Sequence, residues 1–356
     1  MMLRLFVGFF FLIIAFCPFS VWGASVGGPG DDNEKFQAGD MIMHHILDSH
    51  DWHVLDWKGH AVSVPLPIIL FHEGKGLKVF SSSKFDHGHA THQGYNLVYG
   101  NTTSIEFVNE DGTKNIEETE KIWDISITKN VFSLILSILI LLSVFITISN
   151  RYKKNQNKAP TGIQSLLEPI VIFVRDDIAK SAIGNKDYKK YLPFLLTVFF
   201  FIFLNNLLGL IPFFPGGANL TGNIAVPLVL AAMVFIITTL SGKKYYWQHI
   251  FAMPGVPKPV LLILTPIEIF GVFLKPLVLM IRLFANITAG HIIILSFFSM
   301  IFIFGEMSPV AGYGVSVFSG LFVLFMMTLE LLVAFLQAYV FTLLAAMYFG
   351  MAVEEH

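Results

Sequence analysis

Five acidic, basic or histidine side chains and two amides stand inside the two longest apolar stretches of this 356-residue chain: Glu268, Lys275, Arg282, His291 and Glu330, with Asn286 and Gln337. Placing an Arg or Lys at the centre of a membrane helix costs about 2.5–3.5 kcal/mol on insertion scales, so such residues are read as functional by default. Arg282 is the extreme case. It is one of four arginines and the only one after Arg175. Leu277–Ile281 precede it and Leu283–Ala285 follow it, which leaves no nearby membrane surface to snorkel to. Its guanidinium keeps its proton at physiological pH. It therefore supplies a fixed positive charge, which blocks another cation and attracts a carboxylate carried by a partner. Histidine and glutamate can instead relay protons. The competing readings are a structural Arg–Glu pair for Arg282 and a satisfied core histidine for His291.

Helical periodicity places these groups. Glu268, Lys275 and Arg282 are seven apart and drift only about 20° per step. Asn286 lies one turn beyond Arg282, about 40° away, so these four form one polar stripe. His291 is rotated by about 180° from Arg282 and displaced by about 13 Å; Glu268 lies about 21 Å away on the other side. Folding the two apolar stretches about a loop near residue 309 sets Arg282 opposite position 336, beside Gln337. The same fold sets His291 opposite position 327, one turn from Glu330, and Glu330 and Gln337 share a face. Titratable groups on both sides of a fixed charge describe two proton paths, each ending at a blocked centre.

The elements that carry these residues belong in lipid. Hydrophobic residues make up 54% of the chain, charged residues only 13%, and mean hydropathy is +0.67. Soluble domains are roughly 25% charged, so this composition excludes an ordinary soluble protein. Spans are expected at 128–149, 191–211 and 223–240. Two long stretches follow, Val260–Phe304 and Gly312–Gly350, of about 67 Å and 58 Å as helices against a hydrocarbon core of about 30 Å. Each is read as one long tilted helix, with Pro266 and Pro276 as bends and Gly305–Gly312 as the joining loop. The fold class is an all-α membrane protein of about five spans. Residues 160–190, with Ile163, Leu166, Leu167, Ile170, Val171 and Val174 at helical spacing, read as a helix lying on the cytoplasmic surface.

The near-neutral total charge conceals an asymmetry. Residues 24–127 hold 16 acidic against 7 basic residues, a net of −9; residues 150–191 hold 9 basic against 4 acidic, a net of +5. Arg151, Lys153, Lys154 and Lys158 follow the first span, so that end faces the cytoplasm and the acidic segment faces outward. Residues 1–24 read as a secretory signal, with Arg4, the apolar Leu5–Phe16 and the small residues Gly23 and Ala24. The organisation is then 1–24 signal, 25–127 acidic extracytoplasmic extension, 128–350 membrane domain, and 351–356 cytoplasmic tail.

Within the extension, Ala61–Phe71, Leu77–Phe80 and Ser104–Val108 have strand-like composition. Nine of the 12 histidines lie here, including His44, His45, His87, His89 and His92. Asp86, His87, His89 and His92 have the residue types of a metal site, but a solvated acidic segment is the preferred reading and no metal is assigned. Cys17 is the single cysteine, which excludes an internal disulfide or cysteine cluster. No basic patch stands clear of the membrane segments, which excludes a nucleic-acid partner.

Arg282-Leu-Phe-Ala-Asn286-Ile-Thr-Ala-Gly-His291 resembles a signature of subunit a of F-type ATP synthases, as does the run from Glu330 through Gln337 to Thr342. Pro266-Ile-Glu268 and Asn205 through Pro212 are similar to the family as well, and the resemblance covers roughly residues 125–350. It implies a stator subunit in the bacterial inner membrane that packs two tilted helices against a rotating ring of c subunits. The b-subunit stalk and the rest of the synthase would be further partners, with membrane lipid around them. By resemblance, Arg282 meets the ring carboxylate and prevents a proton short circuit. His291 and Glu330 match the outer half-channel pair, in the order found in mitochondrial members. Glu268 matches the inner half-channel carboxylate, and Asn286 and Gln337 match polar positions beside the arginine. The long N-terminal extension departs from many members.

No cofactor and no catalytic residue are expected, since a phosphate-binding Gly-Lys-Ser/Thr motif is absent. A secondary transporter would show internal repeats with paired broken helices, and none is visible. A purely structural anchor leaves Arg282, His291 and Glu330 without a reason. Sodium coupling stays open, because the ion site would lie largely on the ring.

Overall fold

Among the described residues helices dominate, and strands are confined to the N-terminal part. The computed structural model describes residues 38–39, 42, 46–57, 60–88, 90–98, 103–109, 111–154, 159–211, 214–253 and 255–354. The signal reading, Cys17, His44, His45, His89 and the C-terminal His356 lie outside the described residues, as does the side chain of His87. Among the described residues, no group of three His, Cys, Asp or Glu side chains could hold a metal ion. The chain forms two units interleaved in sequence: Met1–Leu134 with Leu208–Asn219 and His291–Met326, and Ile135–Leu207 with Leu220–Gly290 and Met327–His356.

Among the described residues of the first unit, seven strands form three small antiparallel sheets. β1 (Asp51–Trp57) pairs with β2 (His60–Pro65). β3 (Pro67–His72) lies between β4 (Gly76–Ser81) and the later β7 (Ile122–Asp124). β5 (Tyr95–Val98) pairs with β6 (Ser104–Phe107). The expected strand Ala61–Phe71 is broken at Leu66, where the chain passes from one sheet to the next. Alternation decides which side of β3 is inside: Ile68, Leu70 and His72 are fully buried and Phe71 is exposed. Phe85, Tyr95, Leu97 and Ile105 complete this core. A short helix, α1 (Ile116–Glu120), is capped by the Asn115 side chain, which accepts from the Glu118 N–H at 3.1 Å.

Helix α2 (Lys129–Lys154) is largely apolar between Lys129 and Asn130 at its start and its basic last turn. α3 (Ile163–Phe173) passes into a π-helical stretch, Val174–Lys180, and a last turn, Ser181–Ile183, before Gly184 stops it with φ 91°. The expected surface helix is therefore shorter than 160–190 and is not purely superficial. Val174 and Ile178 are completely buried in the core of the second unit.

α4 (Tyr188–Leu210) and α5 (Ala225–Ser241) follow near the expected spans, and α6 (Lys244–Phe251) bends away from α5 by 104°. α7 (Lys258–Met307) and α8 (Pro309–Val353) are each one continuous helix. Among the described residues, four helices are long and apolar enough to span a membrane, or five if the α5–α6 pair counts as one span. Helices suit lipid because every backbone group finds its partner within the segment. α7, at 50 residues, extends about 75 Å, more than twice the hydrocarbon thickness.

The expected loop at Gly305–Gly312 does not form. Ser308 alone separates α7 from α8. Its N–H donates to Phe304 O at 3.2 Å, and its hydroxyl accepts from the Ala311 N–H at 3.1 Å, capping the new helix. So tight a turn needs close backbones. A Cβ on Gly312 would lie 2.8 Å from the Gly305 Cα. Farther from the turn, Phe297 and Phe322 stack with centroids 3.8 Å apart.

Candidate functional site

The packing of α7 determines where its polar stripe points. Leu279 and Leu283 are completely buried in the core of the second unit, together with Leu195, Phe199, Ala338, Phe341 and Phe349. Burying one face of a helix turns the opposite face outward. Val278, Ile281, Arg282, Ala285, Asn286 and Ala289 are all exposed, at the i, i+3, i+4, i+7 spacing of one face. Arg282 and Asn286 thus share an outward strip with two alanines. Among the described residues, no carboxylate forms an ion pair with Arg282. Its charge acts on Tyr348 of α8, over whose ring Lys275 Nζ sits 5.9 Å from the centroid. The tyrosine was not anticipated; a polar-tipped aromatic in the otherwise apolar end of α8 was the available signal.

Glu268 is half-buried near the start of α7. Its neighbour Ile269, with Val272, packs against Tyr246, Ile250 and Ala352. Glu268 and Lys275 remain on the Arg282 helix, as expected. Gln337 is different: it is buried, 7% exposed, between the completely or nearly completely buried Ala334 and Ala338. The middle group of Arg282, Asn286 and Gln337 is thus an exposed pair on one helix and a buried amide on the next.

Glu330 is buried on α8 and lies against the backbone of Gly290. A Cβ at position 290 would overlap its Oε1. Position 290 is one residue before the histidine that the sequence paired with this acid. His291 belongs to the first unit, where its Nε2 would be 3.7 Å from a Cβ on Gly209. Lys129, at the start of α2, acts on His291 electrostatically. Lys129 is itself buried beside Asp48 and Asp51. The sequence suggested neither Lys129 nor these two aspartates as part of the histidine's surroundings.

A second polar tie joins α4 to α8. Asn206 Nδ2 donates to Ala334 O at 3.4 Å, and the Thr221 hydroxyl donates to Asn206 Oδ1 at 2.7 Å. Amides at membrane depth hold helices together in this way, because leaving them unsatisfied in hydrocarbon is costly. The neighbouring Asn205 turns back on its own helix and donates to Phe201 O at 2.7 Å. The fold therefore positions a fixed cation on an outward strip and a buried carboxylate against a glycine.

The pattern of the ATP synthase A chain family matches residues 131–350. That of a domain of unknown function matches residues 41–125. The chain is 43% identical over 240 residues to ATP synthase subunit a of Chloroherpeton thalassium, covering 66% of this chain and 69% of that one. It is 48% identical over 236 residues to ATP synthase subunit a 2 of Chlorobaculum tepidum, covering 65% of this chain and 64% of that relative. With ATP synthase subunit a 2 of Chlorobium luteolum the match is 39% over 331 residues, covering 91% of this chain and 77% of that one.

Proposed function

The chain belongs to the ATP synthase A chain family, and from that premise we propose that it is the proton-translocating stator subunit of an F-type synthase. Membership places it in the membrane sector, as a non-catalytic component. In this reading two offset half-channels meet a ring of small c subunits, and Arg282 separates them.

One observation carries the proposal. A permanently charged guanidinium is presented on an outward strip of a membrane helix. An exposed Arg in hydrocarbon is costly, and a moving partner that brings a carboxylate to that position removes the cost. The charge then does two jobs. It displaces the proton from each arriving carboxyl group, and it stops a cation from passing directly between the two paths. Ala285 and Ala289 keep the strip low on either side of it.

Glu330 and His291 serve the outer path, both being capable of handing on a proton. Glu268 serves the inner path at the other end of α7. Asn286 and Gln337 supply polar contacts near the middle. Protons enter from outside, ride the ring and leave to the cytoplasm. The chain sits in a bacterial inner membrane with its extension outside, and the b-subunit stalk holds it fixed. Copurification tests the reading: a tagged chain should bring down a ring of c subunits and an ATPase head. Recovery of the assembled chain without them would overturn it.

A further inference from the structure

The three-stranded sheet β4–β3–β7 buries one face and leaves the other apolar. Its inner face carries Ile68, Leu70 and His72. Its outer face carries two rows across the strands. One row is Leu77, Phe71 and Trp123, aligned by the pairs Phe71–Leu77 and Phe71–Trp123. The next is Val79, Ile69 and Ile125, aligned by the pair Ile69–Val79 and by the Ile125 N–H donating to Ile69 O at 2.9 Å. Leu77, Val79, Trp123 and Ile125 are each 61–63% exposed. Scattered surface apolar residues are ordinary, but a contiguous patch of this kind marks a contact surface.

Two observations indicate what covers it. The first is continuity. The ladder runs on past β7, where the Ile127 N–H donates to Pro67 O at 3.2 Å, and α2 begins two residues later at Lys129. The patch therefore lies along the segment that enters the membrane. Ile125 is at most about 13 Å along the chain from Lys129, and Trp123 about 20 Å. The second is polarity along the strands. The charged groups of this face lie at the end remote from α2. There Glu73 Oε1 accepts from the Trp123 indole N–H at 3.3 Å, and Lys121 pairs with Glu118 at 2.7 Å. The rows nearer α2 carry no charge. A tryptophan with its ring on apolar neighbours and its N–H on a polar group has the arrangement favoured at a membrane–water boundary. A protein interface of this size would carry polar groups through its rim on all sides.

We propose that this face of the β4–β3–β7 sheet lies against the lipid leaflet at the N-terminal end of α2 and anchors the extension there. The interfacial zone is only about 5–7 Å deep beyond the hydrocarbon. An upright sheet would lift Trp123 clear of it, so the sheet lies obliquely, face down. The inference is independent of proton translocation and needs only the membrane helix.

Spin labels on the full-length chain in lipid nanodiscs test it. In a Cys17→Ser background, a nitroxide is placed at Leu77→Cys, Val79→Cys or Ile125→Cys, with the exposed Ser83→Cys as the aqueous control. Collision with dissolved oxygen reports lipid, and collision with a water-soluble nickel chelate reports solvent. The ratio of oxygen to nickel accessibility should rise at least about threefold at the three patch positions relative to Ser83. A ratio equal to that at Ser83 would overturn the proposal in favour of a solvated face. Exclusion of both reagents would overturn it in favour of a protein partner or a second copy. If a labelled variant misfolds, brominated lipid supplies a second reading. The part of the tryptophan emission lost in Trp123→Phe should be quenched by bromine near the headgroup, and unquenched emission counts against lipid contact.

Discussion

The backbone of Gly290 on α7 leaves the space that the Glu330 carboxylate of α8 occupies, and a Cβ at position 290 would overlap Glu330 Oε1. A glycine in mid-helix forgoes about 1 kcal/mol of helix propensity relative to alanine. Here that cost brings a carboxylate against the backbone of the neighbouring helix.

Gly290→Ala should therefore alter function more than stability. The overlapping atom is the far end of a flexible side chain, so Glu330 can swing aside at a cost below the about 1–3 kcal/mol of a rigid overpacked site. Passive proton flux through the membrane sector should fall several-fold while the thermal midpoint hardly moves. Unchanged flux would show that the position of the carboxylate does not matter.

Arg282→Ala should abolish ATP-driven proton pumping, by about a hundredfold or more, without preventing assembly. Packing in this part of α7 rests on Leu279 and Leu283, which face the other way. Pumping assays on the purified complex check this. Coupled pumping near the normal rate in an assembled mutant would remove Arg282 from its proposed role.

His291→Ala combined with Glu330→Ala should slow proton entry from the outer side. Measuring passive flux with the gradient in either direction distinguishes a damaged inlet from a general loss of assembly. Flux equal to that of the unmodified chain would dismiss the pair.

The turn at Ser308 predicts a contrast between two glycines. A Cβ on Gly312 meets the Gly305 backbone at 2.8 Å, and backbone cannot swing aside. Gly312→Val should cost about 1–3 kcal/mol. Gly314 has nothing within 4 Å of its would-be Cβ, so Gly314→Ala should be neutral or slightly stabilising. Thermal denaturation in detergent reads both, and equal effects would contradict the close approach.

The extension should loosen as pH falls. Burial lowers the pKa of His72 below 6.5, and the Lys75 charge adds to this against the pull of Glu118. The unfolded chain thus takes up a proton that the folded one resists, so the stabilising contribution is complete above pH 6.5 and declines below it. Glu118 is held at about 2 by hydrogen bonds from Lys121 and Lys75, so it stays ionised throughout that range. Hydrogen exchange of the strands around His72 at pH 7.5 and pH 5.5 measures the effect. His72→Phe should flatten it, and a slope unchanged by that substitution would assign it elsewhere.

Long-period signals were the most legible part of the sequence. The spans and the single-helix nature of α7 and α8 follow from uninterrupted apolar runs, even across Pro266 and Pro276. What the sequence concealed depends on contacts between segments distant in the chain. Gly305, Ser308 and Gly312 look like a polar loop, yet the two glycines serve to let the helices approach, and the serine suffices to turn. The charges from Arg175 to Lys180 suggest a solvated face. Val174 nevertheless closes the apolar helical spacing that begins at Ile163 and Ile178 continues it one turn on, and both are buried in the core across the π-helical stretch. The stripe containing Arg282 and Asn286 was readable because it lies on one helix. The burial of Gln337 was not, because it is decided by what packs on α8. Folding the helices about residue 309 sets His291 about one turn from Glu330, whereas the residue that Glu330 lies against is Gly290.

With a lone Ser308 between them, α7 and α8 are indexed to one another like the two arms of a folded ruler. There is no slack to absorb a length error. One residue inserted at the fold would advance everything beyond it by about 1.5 Å and turn it by about 100°. Gly290 would then face a different side chain, and the carboxylate would point elsewhere. Length variation in this chain should therefore accumulate before α2 and between the shorter helices, and be absent at the fold.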